Sequence, residues 1–192
     1  MGYEEALRLI EEARETGATE LDLSMEGLTE LPPELFQLKQ LTVLNLNGNN
    51  LTALPSEINQ LTNLTKLDII YNKLSSLPLQ LFQLKNLTEL AISGNWLSHL
   101  PPELFEMKQL TSLGLFDLDL PSIPSELFQL KNLTELHLGS NWFSSLPPEL
   151  FEMKQLTSLG LDDLNLIPFL INIDLSISVS LPPTLKIYRN VF

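Results

Sequence analysis

Aligned at Ala18, Leu41, Leu64, Leu87, Leu110, Leu133 and Leu156, the sequence repeats itself every 23 residues, and the first six units are complete. A unit this short cannot enclose a core of its own, so its apolar residues must be covered by the next unit along the chain. The common pattern is L-T-x-L-x-L-x-x-N-x-L-x-x-L-P-x-E-L-F-x-L-K-N, which residues 87–109 and 133–155 carry nearly unaltered. A stacked array follows.

Within each unit, leucines at positions 4 and 6, such as Leu44 and Leu46, alternate with outward residues and predict a short strand with one buried face. Successive strands then lie in parallel. Leucines at positions 11, 14, 18 and 21 line the rest of the coil, and the proline at position 15 favours extended or 3₁₀ backbone over a second strand. Such a coil bends into an arc with its strands on the concave side. At about 4.8 Å per strand, seven or eight coils span roughly 35 Å.

These residues resemble the leucine-rich repeat family, in the 23-residue form common in bacterial intracellular proteins, over residues 18–166. The resemblance implies a right-handed α/β solenoid with parallel strands on the concave face and extended or 3₁₀ segments on the convex one. It also implies that Asn49, Asn72, Asn95 and Asn141, at position 9, form a buried structural ladder whose amides satisfy backbone groups leaving the strand. Leu118 and Leu164 stand where that asparagine would be, so the fifth and seventh coils must satisfy their backbone differently.

An open array exposes core and strand edge at both ends and needs caps. Residues 1–17 supply the first: Ala6, Leu7, Leu9, Ile10 and Ala13 share one helical face, charges fill the other, and Gly17 is a natural stop. The stretch that follows, Thr19-Glu20-Leu21-Asp22-Leu23 and Gly27-Leu28-Thr29-Glu30-Leu31-Pro32, looks like the start of the repeat domain in bacterial Roco proteins, multidomain GTPases. No G-x-x-x-x-G-K-[ST] occurs, so this chain carries no GTPase of its own. At the other end, setting Pro168 at position 1 puts Ile171, Ile173, Leu181, Pro182, Leu185 and Tyr188 at core positions. Residues 167–192 are therefore expected to be a degenerate last coil acting as cap, with truncation of a longer array as the alternative, and an incomplete seal there would favour a weak homodimer.

Composition narrows the function. Eleven Lys and Arg against 24 Asp and Glu give a formal charge of -13, which repels nucleic acid and anionic lipid. The absence of cysteine excludes disulfides, thiolate catalysis and Cys-ligated zinc. Glu4, Glu5, Glu11 and Glu12 fall where a secretory signal would be neutral, so the expected compartment is the cytoplasm. Residues 164–181 carry one charge, Asp174, but Pro168, Asn172 and the serines argue against a membrane span. The Asn-x-Thr tripeptides, for example at Asn63 and Asn86, are by-products of the repeat junction.

Reactive groups are sparse. His99 sits in a turn and His137 on the strand face, too few for a histidine metal site. Asp22 and Asp68 share a concave column two coils apart and are expected to be solvated, without acid–base coupling. No enzyme activity and no cofactor is expected.

Binding has more support, because positions 3, 5, 7, 8 and 10 point out of or flank the strands. Those columns contain Tyr71, Trp96, Phe116, His137 and Trp142, accompanied by Asp68, Glu89, Asp117, Asp119 and Glu135, with Asp162 and Asp163 nearby. Aromatics rimmed by carboxylates have the composition of interface anchors, and a basic protein or peptide is the expected partner. Residues 84–120 and 130–166 are near-copies that differ at eight of 37 aligned positions. Five of the eight fall in concave or flanking columns: Ala91/His137, Ser93/Gly139, Gly94/Ser140, Phe116/Asp162 and Asp119/Asn165. Convex Glu103, Glu106, Lys108 and Gln109 are unchanged as Glu149, Glu152, Lys154 and Gln155. Phe36, Phe82, Phe105, Phe128 and Phe151 at position 19 are expected to pack between coils, and Thr19 through Thr157 at position 2 to bond across strands.

Overall fold

The computed structural model describes residues 2–97, 99–162 and 164, together with the strand backbone at 186–188. Each coil contributes one three-residue strand: β1 (Glu20–Asp22), β2 (Val43–Asn45), β3 (Lys66–Asp68), β4 (Glu89–Ala91), β5 (Ser112–Gly114), β6 (Glu135–His137) and β7 (Ser158–Gly160), joined by β8 (Lys186–Tyr188). They form one parallel sheet in sequence order. From β1 to β7 the register advances one repeat per strand, so Leu21, Leu44, Leu67, Leu90, Leu113, Leu136 and Leu159 stand side by side. All seven are buried, in a single core that runs from Ala6 to Leu161.

On the far side of the coil, 3₁₀ turns occupy Pro33–Gln37, Ser56–Gln60, Leu79–Gln83, Pro102–Glu106, Ser125–Gln129 and Pro148–Glu152. The proline of position 15 directly precedes each one; it has no N–H to satisfy and fixes the entry angle. Phe36, Phe82, Phe105 and Phe151 are buried there and Phe128 nearly so, filling the space between convex turns.

Two ladders tie coil to coil. The hydroxyl of Thr42 donates to the carbonyl of Thr19 at 3.1 Å, and Thr65, Thr88, Thr111, Thr134 and Thr157 each repeat the contact onto the preceding threonine's carbonyl. In the second ladder, Asn72 accepts from the N–H of Leu51 and donates to the carbonyls of Leu46 and Ile69. Asn49, Asn95 and Asn141 make the equivalent bonds. Where Leu118 interrupts the row, Asn141 of the next coil accepts from both Leu118 and Leu120 N–H, so a neighbouring amide reaches back to the turn.

The amino-terminal cap is α1 (Gly2–Thr16), which buries Ala6, Ile10 and Ala13 against the first coil. Gly17, at φ +68°, ends it. Arg8 pairs with Glu5 and Glu12, and Arg14 with Glu11, but these pairs are exposed and contribute little; the apolar stripe anchors the helix. At the other end the outcome differs from the expected register. The coil reading sets the next strand near Ile171 and Ile173, whereas the sheet takes its eighth strand from Lys186–Tyr188, with Ser158 paired to Lys186. Residues 165–185 and 189–192 lie outside the described residues, as do the rest of the expected cap and the contact expected to make a homodimer.

Candidate functional site

The strand face changes character along the array, and the change begins at position 5. In the first three coils that position is Asp22, Asn45 and Asp68, and each side chain accepts from the N–H two residues on, at Ser24, Asn47 and Ile70. These side chains are folded onto their own turns. In the next four coils the column reads Ala91, Gly114, His137 and Gly160. With the local acceptor gone, Phe116 N–H donates instead to the hydroxyl of Ser93 in the preceding coil, at 3.0 Å.

The small residues lower the floor of the arc. A Cβ on Gly114 would stand 3.1 Å from Ser93 Oγ, and one on Gly160 would stand 2.7 Å from His137 Nδ1, so the imidazole lies over bare backbone. Two adjoining depressions result. One, of about 340 Å³, is walled by Tyr71, Phe116 and His137, carries Asp117 and Asp162, and is closed by Gly139, Ser140 and Gly160. The other, of about 280 Å³, holds Asp68, Glu89 and Glu135 around Lys66, over Ala91 and Gly114. Phe116 and His137 belong to both.

Tyr71 is held by the turn that follows its strand. Position 8 takes positive φ in each of the first six coils, at Met25, Gly48, Tyr71, Gly94, Asp117 and Ser140. A tyrosine at φ +50° bears a backbone cost of order 1 kcal/mol that glycine would not. Its ring crosses Gly94 of the next coil, where any Cβ would fall inside it, and meets Phe116 one coil further on. The two rings are edge to face, with centroids 5.8 Å apart and planes at 74°.

The charges are unequal in their surroundings. Lys66 pairs with Glu89 at 2.9 Å, which raises the lysine's pKa. Burial raises the Asp68 carboxyl above the usual carboxylate range; the Ile70 N–H and Lys66 oppose that rise, and Asp22 adds to it. Asp68 is thus half-buried and partly desolvated, contrary to the expectation of a freely solvated side chain; the reason is that it folds under its own turn to reach Ile70. Asp22 behaves oppositely, its pKa lowered by the Ser24 hydroxyl and N–H.

The structure brings together Tyr71, Phe116, His137 and Asp117 at the first depression and Asp68, Glu89 and Glu135 at the second. Trp96, Trp142 and Asp119 line neither. They lie in one column, at position 10 of three consecutive coils, on the turn that leaves the strand. Trp96 and Trp142 are 65% and 74% exposed, so they do not serve as packing between coils. The Trp142 indole N–H donates to Asp119 Oδ1 at 2.6 Å. One of the diverging pairs, Ser93/Gly139, is buried beneath the face and acts on its floor. The convex control also narrows: Lys108 donates to the Phe105 carbonyl, and Gln109 and Gln155 to those of Leu84 and Leu130, which leaves the exposed glutamates as the comparison. Among the described residues no cluster of His, Cys, Asp and Glu is arranged to hold a metal ion.

Sequence reasoning missed Lys66 and the small-residue floor. A usable signal existed: Gly114 and Gly160 occupy an outward strand column and take no positive φ, so their reason is space rather than backbone conformation.

An open parallel sheet backed by 3₁₀ turns, with a helix at one end and an asparagine ladder beneath the turns, defines a repeat solenoid of the recognition type. A leucine-rich repeat family model matches residues 16–74 and 62–120, and a second matches residues 132–153; the chain belongs to the leucine-rich repeat family. Among curated proteins no match is found. Among solved structures, an internalin from Listeria monocytogenes is similar at TM-score 0.68 and 25% identity, over 93% of this chain and 48% of that one. A leucine-rich repeat protein of Leptospira interrogans is similar at TM-score 0.65 and 32% identity, over 93% of this chain and 50% of that one. The leucine-rich repeat domain of a Shigella effector shares the fold, at TM-score 0.65 and 23% identity, over 97% of this chain and 88% of that one. This chain spans about half the length of the first two. Proteins built this way generally act as interaction modules. Among the described residues no helix is long and apolar enough to cross a membrane.

Proposed function

We propose that this chain is a non-catalytic recognition module that holds a peptide or partner protein along the strand face, between the third and seventh coils. The carrying observation is where the near-copies at 84–120 and 130–166 differ. Of the five pairs in concave or flanking columns, four place a residue at the first depression: His137, Ser140, both Phe116 and Asp162, and Gly139, buried in its floor. Convex Glu103 and Glu106, exposed to the same solvent, are unchanged as Glu149 and Glu152. Four of the eight differences thus line one depression, whereas one, His99/Ser145, lies on an exposed turn away from the strand face; that concentration fits selection for binding there. The aromatic anchors and net charge of -13 favour a basic partner.

The test begins with affinity capture and identification by mass spectrometry, followed by calorimetry with the purified partner. Tyr71→Ala combined with Phe116→Ala is expected to weaken binding at least about tenfold, equivalent to ~1.4 kcal/mol, with circular dichroism unchanged. Glu103→Arg combined with Glu149→Arg should leave the affinity within about twofold. The reverse ranking would remove the strand face as the site.

A second reading, a regulatory repeat segment of a Roco-type GTPase or a stand-alone relative of one, is supported by the capping stretch, where α1 runs directly into β1. The reading frame downstream of Phe192 tests it. A stop codon there, with no neighbouring GTPase frame, would eliminate it.

A further inference from the structure

We propose that the first depression is a socket for a single arginine side chain of the bound partner; this rests on the reading of the strand face as a recognition surface. Three features of the cavity select the ligand. Its walls are aromatic: Tyr71 and Phe116 meet edge to face, and neither ring is covered over, Tyr71 being 53% exposed. Cations are attracted to such ring faces. Its charge is negative, from Asp117 and Asp162, so an anionic or purely apolar insert would meet uncompensated carboxylates. Its base is flat, because at Gly139 and Gly160 no side chain stands up and the backbone is met by the Asp162 main chain and the His137 imidazole.

Guanidinium satisfies all three. It is planar, stacks on aromatic faces, and presents a fork of donors that a carboxylate accepts in pairs. An ammonium shares the charge but offers no flat face to the rings. The second depression makes the approach directional, because Lys66 is already tied to Glu89 and leaves Asp68 and Glu135 as net negative charge beside the socket.

Independent support comes from how the wall is built. Tyr71 is kept at a backbone conformation that costs a tyrosine, over a glycine whose missing Cβ is the condition for its ring to reach Phe116. A turn needing only positive φ would be served better by glycine, as at Gly48 and Gly94. The second copy of the duplicated coils, moreover, differs from the first at residues that shape this cavity.

The probe is the capped tripeptide acetyl-Gly-Arg-Gly-amide, added to the full chain with ¹³C-labelled aromatic rings and followed by NMR, beside its citrulline and lysine counterparts. Citrulline keeps the shape and removes the charge. The arginine peptide is expected to shift the Tyr71 and Phe116 ring signals saturably, and citrulline to bind at least about fivefold more weakly. Asp162→Asn should also weaken arginine binding and, lying on the surface, spares the core if Phe116→Ala perturbs folding. Equal shifts for arginine and citrulline, lysine binding as tightly as arginine, or arginine binding unchanged in Asp162→Asn would each overturn the assignment. A chain whose partner affinity depends on Phe116 but which shows no arginine preference keeps the recognition reading and loses the socket. Arginine selectivity together with partner binding indifferent to Phe116 keeps the socket as a binding site but overturns its use by that partner.

Discussion

The first three coils and the four that follow share one scaffold and present different strand faces. In the first three, Asp22, Asn45 and Asp68 bend back to accept their own turn's N–H, so outward polar groups are used internally. In the later coils Ala91, Gly114 and Gly160 withdraw from the surface, and Phe116 and His137 rise beside the space they leave. The buried face, by contrast, is uniform from Leu21 to Leu159. A solenoid therefore separates two demands within a single strand: inward residues are fixed by stacking, and outward ones are free to be shaped by a ligand.

The largest expected effect is on the scaffold that both halves share. Asn72→Ala strips a buried acceptor from Leu51 N–H and donors from the Leu46 and Ile69 carbonyls, and should cost ~3 kcal/mol, read as a lower melting temperature. A loss as small as that of a surface substitution would mean the later coils, which tolerate Leu118, are the better description of the whole array.

Gly94→Ala attacks the junction between the halves. Its Cβ enters the Tyr71 ring while its φ of +63° disfavours any side chain, so about 1–2 kcal/mol should be lost. The measurement that matters is the Tyr71–Phe116 ring contact by NMR, which should disappear.

Tyr71→Gly sharpens the contrast by moving stability and binding in opposite directions. Relief of the positive-φ strain should stabilise the fold by ~0.5–1 kcal/mol while partner affinity falls. Thermal melting and calorimetry on one preparation separate the two; a destabilised variant would show that Tyr71 supports the fold.

The smallest effect distinguishes Asp68 from Asp22. Burial holds the folded Asp68 pKa above its unfolded value, so the folded state keeps the proton longer, and this group's contribution to stability is lost as pH rises through that raised pKa. Asp68→Asn retains the acceptor, as Asn45 does naturally, and should raise Tm at pH 7 by about 1–2 °C, with the gain vanishing below the unfolded carboxylate pKa. Asp22, whose pKa is lowered, contributes stability that is instead lost as pH falls through its folded value, so Asp22→Ala should lower Tm at pH 7 and do little in strong acid.

The repeat made the solenoid legible because each inward residue has one environment, reproduced every coil: Leu44 and Leu67 meet the same neighbours, so period alone assigns their burial. The threonine ladder was readable for the same reason, being a contact between equivalent positions, and the asparagine ladder, whose amides bond different positions, followed from the family resemblance. What the tertiary structure decided is whatever depends on unlike residues meeting where a column breaks its own pattern. Tyr71 reaches Phe116 across Gly94, His137 leans over the glycine that holds its own column in the next coil, and Asn141 accepts from the Leu118 N–H where the asparagine row is broken, each a contact between unlike residues on different coils. Trp96 and Trp142 show the limit from the other direction. Their column follows from the repeat, but whether a residue one step past the ladder faces the arc or its rim depends on how the turn leaves the strand, which three-dimensional packing sets. Period specifies the wall of the solenoid; side-chain length and backbone conformation at individual turns specify the cavity in it.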